Sequence, residues 1–231
     1  VLSDTADTVK KLIKETEVDI NNIVGIGIGV PGPVADGIVK HCVNLHWENS
    51  VDVSGIMERL TGLKAVTVND ANAAAVGELW MGGGKERGSI ILVTIGGGIV
   101  IKDKILDGYN GSGGELGHIT VEYESERKCN CGRNGCLETY ASATGIVRTA
   151  VELLQNSDEQ SALRSTEVSA KSVFEAAAAG DAVAVKTVDI FGKYLGRALA
   201  NAASTVDPEI IVLAGGVVRA GEIVRKAVEK Y

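Results

Sequence analysis

Three cysteines, Cys129, Cys131 and Cys136, fall within eight residues in the run CNCGRNGC. Thiols this close are cramped as disulfides and better placed to converge on one metal ion. Zn²⁺ takes four soft or borderline ligands in a tetrahedron. Three sulfurs favour it over Mg²⁺ or Ca²⁺. His118 lies upstream in a glycine-rich stretch and is the natural fourth ligand in a chain with only 3 histidines. A shell of His118, Cys129, Cys131 and Cys136 is full, so such a zinc is structural rather than catalytic. The plainer alternative is free thiols or one disulfide. Cys42 has no cysteine near it in sequence and reads as a core thiol.

Carboxylates supply the second chemistry. Asn69 and Asp70 stand where an apolar strand gives way to an alanine-rich helix. Read plainly, Asp70 caps that helix by accepting from first-turn amides. Read functionally, it is a carboxylate at the edge of a sheet where open α/β folds place ligands, ready to take a proton from a hydroxyl. Glu115 and Glu138 flank the metal candidates. Zinc on His118 would immobilise the loop that carries Glu115, and Glu138 lies two residues past Cys136. Either glutamate alone is consistent with an exposed surface carboxylate. Together the pinned groups suit the reading of sugar hydroxyls.

Glycines offer a third. Gly96, Gly97 and Gly98 follow one apolar strand, and Gly215 and Gly216 follow another. Both segments can give backbone amides to phosphates, or simply turn tightly. The run GIGVPG at 27–32 matches a dinucleotide fingerprint only in letters. Pro31 and Pro33 block the helix that the fingerprint must open.

These groups need elements to hold them. Apolar residues at Leu2, Ala6, Val9 and Ile13 predict a one-faced helix. Residues 23–30 read as a buried strand stopped by the prolines, and 37–43 as a hairpin arm. A helix follows over 53–60, ended by Gly62, then a short strand at 65–68 and a helix over 71–79. Glycines 82–84 suggest a hinge. Strands follow at 89–95 and 98–101, and Ser169 caps a helix over 171–179. A long helix over 181–204, a strand at 209–213 and a helix over 221–230 complete the pattern. This alternation predicts a mostly parallel sheet covered by helices.

The chain has 231 residues, 45% hydrophobic and 23% charged, as in an ordinary globular protein and unlike a disordered one. No apolar run approaches the ~18–20 residues of a membrane-spanning helix. The net charge of −7 argues against a broad nucleic-acid-binding face. Gly is 29 of 231, nearly twice the usual ~7%, and it clusters at the ends of apolar runs. The N-terminus shows no signal-peptide pattern. The chain starts without Met and ends inside an amphipathic pattern, so it is expected to be part of a longer one.

The segments GVPGP (29–33), NDAN (69–72), ELGH (115–118), CNCGRNGCLE (129–138) and LAGG (213–216) resemble, in this order, those of the ROK family (repressors, open reading frames, kinases). The run CLETYASATG (136–145) is most similar to the family's bacterial glucokinases. The resemblance implies an α/β, actin-like (ribonuclease-H-like) ATPase fold, two α/β domains flanking a cleft with a zinc-bound loop. We place the domains at 1–84, incomplete at its start, and 85–231, incomplete at its end. It implies ATP-dependent phosphorylation of glucose at its 6-hydroxyl. Asp70 matches the general base. Asn69, Glu115, His118 and Glu138 match sugar-holding residues, His118 also binding zinc, and Asn44 is a further sugar contact. Gly96, Gly97, Gly98, Gly215 and Gly216 match positions that meet Mg-ATP. A cytoplasmic homo-oligomer, a dimer, is expected, without membrane or nucleic-acid partners. The family's opening D-x-G-G-T turn has no match here, and the loop after Thr94 is about four residues short of the family pattern. The alternatives are a ROK kinase for N-acetylmannosamine, mannose or fructose, and a sugar-responsive ROK transcriptional regulator.

Overall fold

The computed structural model describes every residue except 41, 43, 44, 95 and 96. Helix α1 (Leu2–Glu15) turns Ala6 inward and packs on α2 (Val53–Thr61), as its apolar spacing requires. Strand β1 (Ile26–Val30) pairs in parallel with β5 (Ala65–Asn69), Val30 opposite Asn69. The prolines end β1, and the chain folds into a small antiparallel sheet of β2 (Val34–Ala35), β3 (Ile38–Val39) and β4 (Val51–Asp52). Ala6, Val30, Val39, Val53, Met57 and Ala65 form the core between these layers.

A third sheet, of four strands, is built from β6 (Ile90–Val93), β7 (Gly98–Ile101), β8 (Lys104–Ile105) and β9 (Ile210–Leu213), in the order β8-β7-β6-β9. Strand β6 is buried on both sides, which explains its unbroken apolar run. Ile91 and Val93 face the main core, made with Ile146 of α5 (Ala143–Gln155), Phe174 of α6 (Ala170–Ala178), Phe191 and Leu195 of α7 (Ala182–Val206) and Val224 of α8 (Glu222–Glu229). Ile90 and Leu92 face the other way, onto Ala75 of α3 (Asp70–Met81). Helix α3 thus leaves β5 of the two-stranded sheet and packs across the four-stranded one. Gly98 makes this approach possible: a Cβ there would lie 2.7 Å from both the Ala71 carbonyl oxygen and the Ala75 Cβ.

Among the described residues, parallel pairing is limited to β1–β5 and β6–β9; the other strand pairings are antiparallel. The expectation of a mostly parallel sheet is corrected accordingly. Short turns at Asp36–Gly37 and Lys102–Asp103, with backbone at positive φ, make hairpins where a crossover helix would be needed for parallel strands. Glycines 82–84 form a hydrogen-bonded turn, Glu78 accepting from Gly83 N–H at 2.8 Å. Among the described residues no helix is long and apolar enough to cross a membrane.

Candidate active site

Strand β5 runs directly into α3, and their junction carries Asn69 and Asp70. Asn69 is buried and is itself the cap: its Oδ1 accepts from the Asn72 N–H at 3.0 Å. Its Nδ2 donates to the Gly32 carbonyl at 3.2 Å, fastening the proline turn to the helix. The plain reading of Asp70 as the cap is therefore corrected; the cap lies one residue earlier. Asp70 is the first helical residue, exposed, its carboxylate accepting from the Ala71 N–H at 2.9 Å. The positive end of the helix dipole favours a negative charge there.

Asp70 opens onto a cleft of about 1060 Å³. Its lining includes Pro31, Pro33, Asn69, Asp70, Thr94, Ser112, Glu115, His118 and Glu138. Glu115 begins a tight turn, Leu116–His118, without using its carboxylate as a cap. Burial raises the Glu115 pKa above the ordinary 4.5; His118 opposes this, and the charges of Asp70 and Glu138 add to it. These four side chains, from distant parts of the sequence, thus act on one another across one cleft.

The cysteine run folds into a knuckle. Arg133 C=O accepts from Cys129 N–H at 2.9 Å, and Arg133 donates to the His118 carbonyl at 2.6 Å. The ligand atoms of His118, Cys129, Cys131 and Cys136 all lie within 4.8 Å of one another. Cys131 and Cys136 sulfurs are 3.6 Å apart, and His118 Nδ1 is 3.4 Å from Cys129 Sγ. Ligands at ~2.0–2.3 Å from a tetrahedral ion are separated by about these distances. Three sulfurs and one imidazole nitrogen are also a donor set that suits a borderline metal. The residues present therefore fit a metal ion.

Protonation is uneven across the thiols. Burial, then the hydrogen bond to Glu138, pushes the Cys129 pKa up, and burial raises that of Cys136. Cys131 is also opposed by burial, yet the Arg133 N–H and the Cys129 thiol bring it down to about 6. Glu138 opens α4 (Glu138–Ala141); its Oε1 accepts from Cys129 Sγ at 2.9 Å and lies 3.9 Å from His118 Nδ1.

Among the expected phosphate-loop glycines, Gly97 and Gly98 are held by packing, Gly97 against the Gly114 carbonyl and Gly98 against α3. Gly215 sits beside Thr94 because β6 and β9 end side by side, Val93 opposite Leu213. Gly216 has open space where a Cβ would be. Asn44 and Gly96 lie outside the described residues.

Sequence reasoning missed Arg127. This buried guanidinium donates to the Thr139 carbonyl and Thr149 Oγ1, both at 2.9 Å, pairs with Glu152, and stacks 4.2 Å over the Tyr140 ring. It ties the two ends of the cysteine run to α5. A charged residue two positions before a cysteine gives no local sign of such burial.

The ROK family model matches residues 2–231. A glucokinase of Halalkalibacterium halodurans is 41% identical, the match covering 100% of this chain and 73% of that protein. A glucokinase of Thermotoga maritima is 38% identical over 86% of this chain and 65% of its own length. The xylose repressor of Caldicellulosiruptor bescii is 30% identical over 90% of this chain, but over only 54% of the repressor. A solved ROK family glucokinase from Streptomyces griseus, in complex with glucose and AMPPNP, superposes with a TM-score of 0.80 at 33% identity, covering 97% of this chain and 75% of that one. The fold is that of an actin-like ATPase, with sheets and helices on either side of a cleft.

Proposed function

The chain belongs to the ROK family, and from that premise we propose that it phosphorylates glucose at its 6-hydroxyl with Mg-ATP as donor. The observation that carries this reading is the shared cleft. Asp70, at a helix N-terminus, lines it with Glu115, His118 and Glu138, the last two held against the cysteine knuckle. Phosphoryl transfer asks a protein mainly for positioning and charge stabilisation.

Asp70 takes the proton of the hydroxyl as its oxygen attacks the γ-phosphoryl group, acting as general base. Glu115 and Glu138 accept from other sugar hydroxyls. Asn69 has one amide N–H and one lone pair left beyond its two structural bonds, enough for one further hydroxyl. His118 Nδ1 faces the thiols, so Nε2 remains for the sugar. Asn44 is assigned a further sugar contact. His118, Cys129, Cys131 and Cys136 would hold a zinc ion, which would supply a fixed crosslink orienting His118 and the segment that leads into Glu138. Gly215 and Gly216, at the joint edge of β6 and β9, meet the nucleotide, and glycines 96–98 are assigned the same role. Closure of residues 1–84 over 85–231 would exclude water from the transfer. We carry from the family a cytoplasmic, dimeric enzyme.

Asp70→Asn tests the assignment. Glucose-dependent ADP release should fall about 10²–10⁴-fold, with calorimetric glucose binding retained. Undiminished turnover would remove Asp70 from the mechanism. The repressor similarity supplies the competing reading, a sugar-responsive regulator, which binds sugar saturably and releases no ADP.

A further inference from the structure

Asn72 stands two residues after Asp70, in the first turn of α3, and is 2% exposed. Its side chain points away from solvent. Nδ2 donates to Asp107 Oδ1 at 2.8 Å, across 35 residues of sequence. Its Oδ1 is buried and has no hydrogen-bond partner among the described residues. An apolar side chain would fill this position without leaving a carbonyl oxygen unsatisfied. Flipping the amide would set its oxygen against a carboxylate, so Asp107 also fixes which way the amide points.

Asp107 is a junction. Its side chain holds α3, while its backbone carbonyl accepts from the Gly113 N–H at 2.6 Å. That bond returns the glycine loop to its own start, so Glu115 stands two residues from the anchored point. The loop also lies close on the first part of the chain: a Cβ on Gly111 would be 2.3 Å from the Val34 carbonyl oxygen. At its far end Gly114 approaches the backbone of β7, 3.2 Å from the Ile99 nitrogen to where a Cβ would sit.

We propose that Asn72 and Asp107 are a positioning pair that sets the separation of Asp70 and Glu115. Neither touches the sugar. Asp70 lies two residues from one member, and Glu115 two residues from the point where the loop returns to the other. The pair therefore governs how the general base and a sugar-holding carboxylate meet the same substrate. This inference rests on the kinase reading above for its catalytic consequence, but its structural content stands apart from it.

The test is a swap of chemical roles in the full-length protein. Asn72→Asp sets two carboxylates face to face and should lower kcat/KM for glucose about 10- to 100-fold, the scale of a misplaced reacting group. KM for ATP should change less than KM for glucose. Asp107→Asn keeps an acceptor oxygen for Asn72 and should stay near wild type. The double variant Asn72→Asp with Asp107→Asn restores a donor and an acceptor in reversed positions, and should recover most of the loss. Amide hydrogen exchange, read on the same proteins without substrate, should show faster exchange at Gly113–Glu115 in Asn72→Asp and recovery in the double variant. If wild type shows no sugar turnover, the kinase reading fails, and the exchange data still decide the pair. Asn72→Asp folded, with wild-type glucose KM and unchanged loop exchange, would overturn the proposal. So would failure of the double variant to recover while both single variants remain folded.

Discussion

Glu115 is a carboxylate placed where burial disfavours its charge and where Asp70 and Glu138 add repulsion. Because its folded pKa lies above the unfolded value, its contribution favours the native state below about pH 4.5 and is lost as pH rises through the folded value. At neutral pH the ionised group is therefore a net cost to folding, retained for the site. Glu115→Gln should raise the thermal midpoint at pH 7, with the gain shrinking toward pH 4.5, while KM for glucose rises. An unchanged or lower midpoint at pH 7 would show that burial does not strain this carboxylate. At this scale the sequence was partly readable. Cys129, Cys131 and Cys136 signal by their close spacing a group that, with His118, could hold a metal ion. The helix cap falls on Asn69 rather than on Asp70, since either residue type can cap a helix. Asn72–Asp107 and the Arg127 cage were not readable, because each depends on partners brought from far along the chain.

Helices were the legible elements. Ser169 and Asp181 cap α6 and α7 as their types foretell, Asp181 accepting from the Ala184 N–H at 3.0 Å. Strand order was not legible, because short apolar runs carry no record of their neighbours, and hairpin turns replaced the expected crossovers. The glycine segments show why a motif alone cannot separate packing from binding. Gly98 is required by the contact of β7 with α3, whereas Gly216 has free space. Gly98→Ala should cost about 1–3 kcal/mol through overpacking, read as a lower midpoint in urea. Gly216→Ala should stay within about 0.5 kcal/mol of wild type and raise KM for ATP. The reverse pattern, a stable Gly98→Ala and an unstable Gly216→Ala, would contradict this division of roles.

Across the whole molecule, two sheets that share α3 bring groups from residues 69–70, 115–118 and 129–138 around one cleft. On the proposed function, that convergence would place a sugar between Asp70 and the carboxylates of Glu115 and Glu138. The match spans 73% of one glucokinase and 65% of another, so the activity is best read on the full-length protein. The most direct measurement is coupled ADP release by that protein, zinc-loaded, with Mg-ATP against glucose, mannose, fructose and N-acetylmannosamine. Saturable turnover led by glucose is the predicted result. Saturable glucose binding without ADP release from any of the four sugars would contradict the kinase reading and favour a sugar-responsive regulator.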